Sequence, residues 1–160
     1  MKTITTLASN EVFVFGSNDT GFHGAGAAGF AFSGTCANDW RTCPKKQAAI
    51  KAPSGHPNRI GLWAIWGVSE GFQMGKEGRA YAIRTVVVPG GPLVSMSEIE
   101  IQFVRLWSFA EQHPELVFLL TEVGAGLAGH RREDLRALVH QVIEQKGLPV
   151  NIKNADKVYR

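Results

Sequence analysis

Residues 13–28 read Phe13-Val14-Phe15-Gly16-Ser17-Asn18-Asp19-Thr20-Gly21-Phe22-His23-Gly24-Ala25-Gly26-Ala27-Ala28, and this order leaves few folds open. An apolar strand meets a tight polar turn, and the turn opens into a helix of glycine and alanine. Side chains this small leave the first helical turn bare, so its unpaired N–H groups and partial positive charge can meet an anion. The expectation is a site for a phosphorylated small molecule, with Gly16, Ser17, Gly24, Ala25, Gly26 and Ala27 against the ligand.

The chain has 160 residues, 44% of them hydrophobic, which suits one domain with a substantial core. No apolar run approaches the roughly 20 residues that cross a bilayer, so no membrane role is expected. The start, Met1-Lys2-Thr3-Ile4-Thr5-Thr6, lacks the apolar centre of a secretory signal. Two cysteines, Cys36 and Cys43, argue against a disulfide framework, and two reduced thiols in a cytoplasmic protein are expected. The five histidines are scattered, so no metal site and no resident cofactor is expected. A net charge of +3 is spread along the chain, with short clusters only at Lys45-Lys46 and Arg131-Arg132. That spread argues against a nucleic-acid partner, which draws on a concentrated basic face.

Hydrophobic patterning alternates strands with helices. Residues 12–15 read as a buried strand, 23–32 as the small-residue helix, and 79–88 as a strand closed by Pro89-Gly90-Gly91-Pro92. Residues 32–61 form an irregular excursion with a short helix near 47–51, and the glycines of 67–78 predict a mobile loop. Ser97 and Glu100 have capping-box spacing, and Ile99, Phe103, Leu106, Trp107 and Ala110 then form a helical stripe that stops at His113-Pro114. The run 116–120 reads as a strand buried on both faces. A last amphipathic helix turns Leu135, Leu138, Val139, Val142 and Ile143 inward, closes at Gly147, and leads to an edge strand in 148–152.

Strands alternating with amphipathic helices imply an α/β fold, a three-layer α/β/α sandwich whose ligands sit at the carboxyl ends of the strands. A second glycine loop, Gly124-Ala125-Gly126-Leu127-Ala128-Gly129 followed by His130, comes after the strand at 116–120 and would open onto the same crevice. Its Gly-x-Gly-x-x-Gly spacing matches the dinucleotide fingerprint, but no full βαβ unit with a ribose-binding acid follows. His23-Gly24-Ala25-Gly26 carries no lysine, which excludes a P-loop.

The pair His23-Gly24-Ala25-Gly26-Ala27-Ala28 and Gly124-Ala125-Gly126-Leu127-Ala128-Gly129 resembles the two ligand loops of macro domains. The closest likeness is to the compact branch with a Gly-Ala-Gly-Ile-Ala type first loop and a Gly-Cys-Gly-Leu type second loop. The resemblance implies a mixed central sheet and ADP-ribose as ligand, free or on an ADP-ribosylated target. The first loop would line the distal ribose and the second the diphosphate. It extends to residues 71–85, where a glycine loop leads into Tyr81-Ala82-Ile83, and is interrupted by 32–61. Three positions depart from the family. Ser9-Asn10 stands where members carry Gly-Asp for the adenine. Arg84 stands where deacylating or deglycosylating members use a lysine, and Ala128 where they place an acid. Arginine stays protonated and cannot be that nucleophile.

Without the lysine, chemistry falls to an ordered water. His23 would assist it, Asn18 and Asp19 would orient it, and loop amides would stabilise the developing charge. His130 would face the same crevice, and Arg84 would reach a phosphate by a bidentate contact. Hydrolysis of an ADP-ribosyl or phosphate ester, a non-enzymatic capture module for another nucleotide metabolite, and a nucleic-acid-associated protein are the three readings that follow.

Overall fold

The computed structural model describes residues 4–36, 39–123 and 129–153. Five strands form one mixed sheet: β1 (Glu11–Asn18), β2 (Gly71–Met74), β3 (Arg79–Val86), β4 (Val117–Leu120) and β5 (Ile152–Lys153), in the order β2-β3-β1-β4-β5. β1 runs parallel to β3 and β4, β4 runs parallel to β5, and β2 alone is antiparallel, as the hairpin partner of β3. The helices are α1 (Gly26–Ser33), α2 (Pro44–Lys51), α3 (Met96–Gln112) and α4 (Arg132–Lys146), with a 3-10 turn at Pro57–Arg59.

Side-chain alternation assigns the two faces. Val12, Val14, Tyr81, Ile83, Phe118 and Leu120 pack with Ile99, Phe103, Leu106 and Trp107 of α3 and Leu135, Val139 and Val142 of α4. Phe13, Phe15, Ala80 and Ala82 point the other way, onto Ala28 and Ala31 of α1 and onto Trp63. A period of two on each strand therefore feeds two separate cores. The result is the three-layer α/β/α sandwich expected from the alternation of elements. The α3 stripe is buried at every predicted position, and so is that of α4 except for the half-buried Ile143.

Several elements differ from expectation for physical reasons. The region predicted as a mobile loop contains β2, because Gln73 is buried and ties two neighbouring backbone groups. It accepts from Ile65 N at 2.7 Å and donates to Val68 O at 3.0 Å. β4 is buried on one face and only half-buried on the other, since the small second core covers β1 and β3 alone. The excursion after α1 is more ordered than predicted. α2 opens at Pro44, and Ala49 packs with Phe32 and Trp66. Of the Lys45-Lys46 pair, Lys46 is buried, and burial lowers its pKa.

The cap of α3 is Ser95, two residues before the expected serine, and Ser95 Oγ accepts from Glu98 N at 3.3 Å. The Ser-x-x-Glu spacing recurs at 95–98 and 97–100, and only the first serine has extended backbone, at φ −63° and ψ 151°. Ser95→Ala is expected to cost about 1 kcal/mol in urea unfolding, and Ser97→Ala a few tenths. Equal costs would return the cap to the later serine.

Cys36 and Cys43 are joined as a disulfide, which corrects the expectation of two reduced thiols. Their Cα atoms lie 5.8 Å apart across a seven-residue separation. That reach needs the turn at residues 39–42, where Asp39 O accepts from both Thr42 N and Thr42 Oγ1. At the far edge, β5 is only two residues long. Asn151 Nδ2 holds it by sharing its hydrogens among the carbonyls of Ala110, His113 and Leu116.

Candidate functional site

A cavity of about 380 Å³ opens at the carboxyl ends of β1 and β3, where a ligand site is expected for this architecture. Gly16, Ser17 and Asn18 reach it from β1, and Thr85 and Val86 from β3. Gly24, Ala25 and Ala28 form the wall at the start of α1, Phe22 and Trp40 add an aromatic wall, and Pro89 and Gly90 complete the lining.

The turn between β1 and α1 is built by one side chain. Asn18 is buried; its Oδ1 accepts from Thr20 N at 3.1 Å, Thr20 Oγ1 at 2.7 Å and Phe22 N at 3.1 Å. Its Nδ2 donates to Phe22 O at 2.9 Å. These bonds make Asn18 the organiser of the turn, with its Oδ1 saturated and one Nδ2 hydrogen engaged. Gly21 takes φ +69° in this turn, and a Cβ there would run into the backbone of Gly67 and Val68. Close approach and a left-handed backbone thus require glycine together.

Helix α1 starts uncapped. Ala25 is the N-cap residue, in extended backbone at φ −151° and ψ 174°, with no side-chain hydrogen bond and no acid in the first turn. Ala25, Gly26 and Ala27 are exposed. Ala25 lines the cavity, whereas Gly26 and Ala27 lie in the bare first turn beyond its lining. Ser17 lines the cavity too, with its hydroxyl donating to Ser69 O.

The groups expected to carry catalysis or phosphate binding are engaged elsewhere. His23 is wholly enclosed, edge-on to Phe15 at 5.5 Å and to Trp66 at 6.0 Å, and is absent from the cavity lining. Its Nε2 lies 2.9 Å from Ile65 O, an acceptor, so Nε2 carries the proton and Nδ1 has none. Burial pushes its pKa down to about 4, against the opposing pull of the Ile65 and Val68 carbonyls. A ring held neutral in an aromatic box is a packing element, which corrects its assignment as a water-activating base.

Arg84 contacts Asp19 at 2.8 Å, Glu70 at 3.2 Å and Glu98 at 3.6 Å, and Glu70 also meets Arg105 at 3.1 Å. The Asp19 carboxylate is the main cause raising the Arg84 pKa. Arg84 and Asp19, expected at a phosphate and a water, pair with each other, and neither is among the described lining residues of the cavity. The guanidinium instead joins the turn after β1 to the residue before β2 and the first turn of α3.

Of the second glycine loop, Gly124, Ala125, Gly126, Leu127 and Ala128 lie outside the described residues. Its flanks end on the carboxyl side of the sheet. Thr121 Oγ1 donates to Val14 O at 2.6 Å, and His130 Nε2 lies 2.7 Å from the carbonyl of Thr85, a cavity residue. Gly129 is exposed at φ +87°. The His130 contact places a proton on Nε2 and leaves Nδ1 as the acceptor in the neutral ring.

Sequence reasoning missed the aromatic wall. Phe22 and Trp40 meet edge to face at 5.2 Å, and a Cβ on Gly24 would lie 3.3 Å from Trp40 Cδ1. The one signal for Trp40 was its place between the two cysteines. Among the described residues, no group of three His, Cys, Asp or Glu side chains could hold a metal ion, and no helix is long and apolar enough to cross a membrane.

No protein-family model matches the chain, and no curated protein matches it. Among solved structures it is similar to a protein of unknown function from Bacteroides thetaiotaomicron, with 13% sequence identity and a TM-score of 0.50. The match covers 91% of this chain and 87% of the other. At that identity the likeness speaks to the fold alone, a three-layer α/β sandwich.

Proposed function

We propose that the cavity captures ADP-ribose or a closely related phosphorylated nucleotide derivative, free or carried on a modified target, without hydrolysing it. One observation carries the reading: an uncapped helix N-terminus, clothed only in glycine and alanine, forms a wall of the cavity of about 380 Å³ at the carboxyl ends of β1 and β3. Its free N–H groups and dipole suit a phosphate or diphosphate. The resemblance of residues 23–28 to a macro-domain ligand loop supplies the nucleotide class. The volume lies within the range of small-molecule sites, roughly 300–1,000 Å³.

Capture is favoured over hydrolysis because the described lining residues include no carboxylate, histidine or lysine. The nucleic-acid reading gains nothing, since the described lining residues include no arginine or lysine. Calorimetric titration with ADP-ribose, ADP and inorganic diphosphate tests the proposal. Saturable one-to-one binding of ADP-ribose is expected, with Kd on the order of micromolar, and no release of ADP-ribose from a modified peptide. No heat with ADP-ribose at millimolar concentration removes the ligand class, and turnover of the peptide removes the claim of capture alone.

A further inference from the structure

We infer that the Cys36–Cys43 disulfide is a redox-responsive clasp that sets Trp40 in the cavity wall, so that ligand affinity follows the thiol–disulfide state. The inference rests on the proposed capture function for its binding readout, and on the structure alone for its conformational one.

The clasp and the wall are one piece of chain. The bridge closes the stretch from 36 to 43, Trp40 lies inside it, and Trp40 lines the cavity. Among the described residues, few other groups hold residues 39–42 down. Asp39, Arg41 and Thr42 are exposed, and the turn is tied mainly to itself through Asp39. Among the described residues, Trp40 is supported from outside by an edge contact to Phe22, the close approach to Gly24, and a bond from Gln47 Nε2 to its carbonyl at 3.0 Å. Opening the ring restores the freedom of residues 39–42, three of which are exposed and polar, and the half-buried indole then loses its fixed place.

The bridge is also placed for exchange. Cys36 is half-buried, whereas Cys43 is fully enclosed and is the N-cap residue of α2, ahead of Pro44-Lys45-Lys46. An incoming thiolate therefore meets the Cys36 sulfur first, and Cys43, at the N-terminus of α2, is the leaving thiolate. With a dithiol reductant, one sulfur bonds to Cys36 as the Cys36–Cys43 bond breaks. The second sulfur then displaces Cys36 and closes the reductant's own disulfide. The protein gains two electrons and two protons, and the dithiol supplies both.

The test compares the full chain oxidised by oxidised glutathione with the same chain reduced by dithiothreitol, the state of each verified by mass. Trp63, Trp66 and Trp107 are buried, so the half-buried Trp40 is the tryptophan whose exposure should change most, and Trp40→Phe isolates its signal from the other three. Reduction is expected to shift the emission to longer wavelength, a change absent in Trp40→Phe. It is also expected to weaken ADP-ribose binding about tenfold, the loss of one aromatic contact face. A Cys36→Ser/Cys43→Ser double variant should match the reduced chain without reductant. Failure of the bridge to form under oxidised glutathione, or identical emission and affinity in both states, overturns the clasp. If ADP-ribose binds in neither state, the ligand assignment fails, and the Trp40 emission alone decides for or against the clasp.

Discussion

Ala25→Asp is expected to move ligand affinity and protein stability in opposite directions. Ala25 occupies the N-cap of α1 in extended backbone, is exposed, and offers no side-chain acceptor to the first turn. An aspartate there accepts from those N–H groups and adds an acid where the helix dipole favours one, a gain of about 1 kcal/mol. In a domain of this size that raises Tm by about 3 °C. The same carboxylate takes the donors a phosphate would use and sets a negative charge a few ångströms from it. Two like charges 4 Å apart near a protein surface repel by up to about 4 kcal/mol, so a hundredfold loss of ADP-ribose affinity is expected. Ala25→Asn caps without the charge, and its loss should be nearer tenfold. A stabilised Ala25→Asp protein that binds ADP-ribose as tightly as the parent would place the phosphate away from α1.

The features legible in the sequence are those written into local periodicity. Phe13 and Phe15 alternate with Val12 and Val14, and the structure sends each pair to its own face of the sheet. The stripe from Ile99 to Ala110 is readable because one helical face fixes every position, whatever lies opposite. The glycine turn after β1 and the bare start of α1 were legible for the same reason. β2 was not, because four residues with a glycine carry no period, and its pairing depends on β3 and on Gln73 reaching back to residues 65 and 68. The roles of charged groups were legible least. Arg84 looks available at the end of a strand until Asp19, Glu70 and Glu98 arrive from three separate parts of the chain. Nor does Trp40 stand out among scattered polar residues, since its place in the wall depends on a bridge that the cysteine count argued against.

His23 makes stability depend steeply on pH in the acid range. In the folded chain its pKa is lowered from 6.5 to about 4, first by burial among Phe15 and Trp66. Between those values the unfolded chain carries a proton at this ring that the folded chain does not. Folding therefore opposes protonation: the neutral ring's contribution is complete above pH 6.5 and is lost as pH falls towards 4. The depression corresponds to about 3 kcal/mol, at about 1.4 kcal/mol per unit, a large share of a typical stability of roughly 5–15 kcal/mol. Urea unfolding at half-unit steps from pH 4 to 7 should show stability rising by that amount. His23→Gln retains a donor for the Ile65 carbonyl and does not titrate, so most of the rise should vanish while the protein stays folded. A slope unchanged in His23→Gln would assign the acid sensitivity to other groups and return His23 to consideration as a titrating, ligand-facing residue.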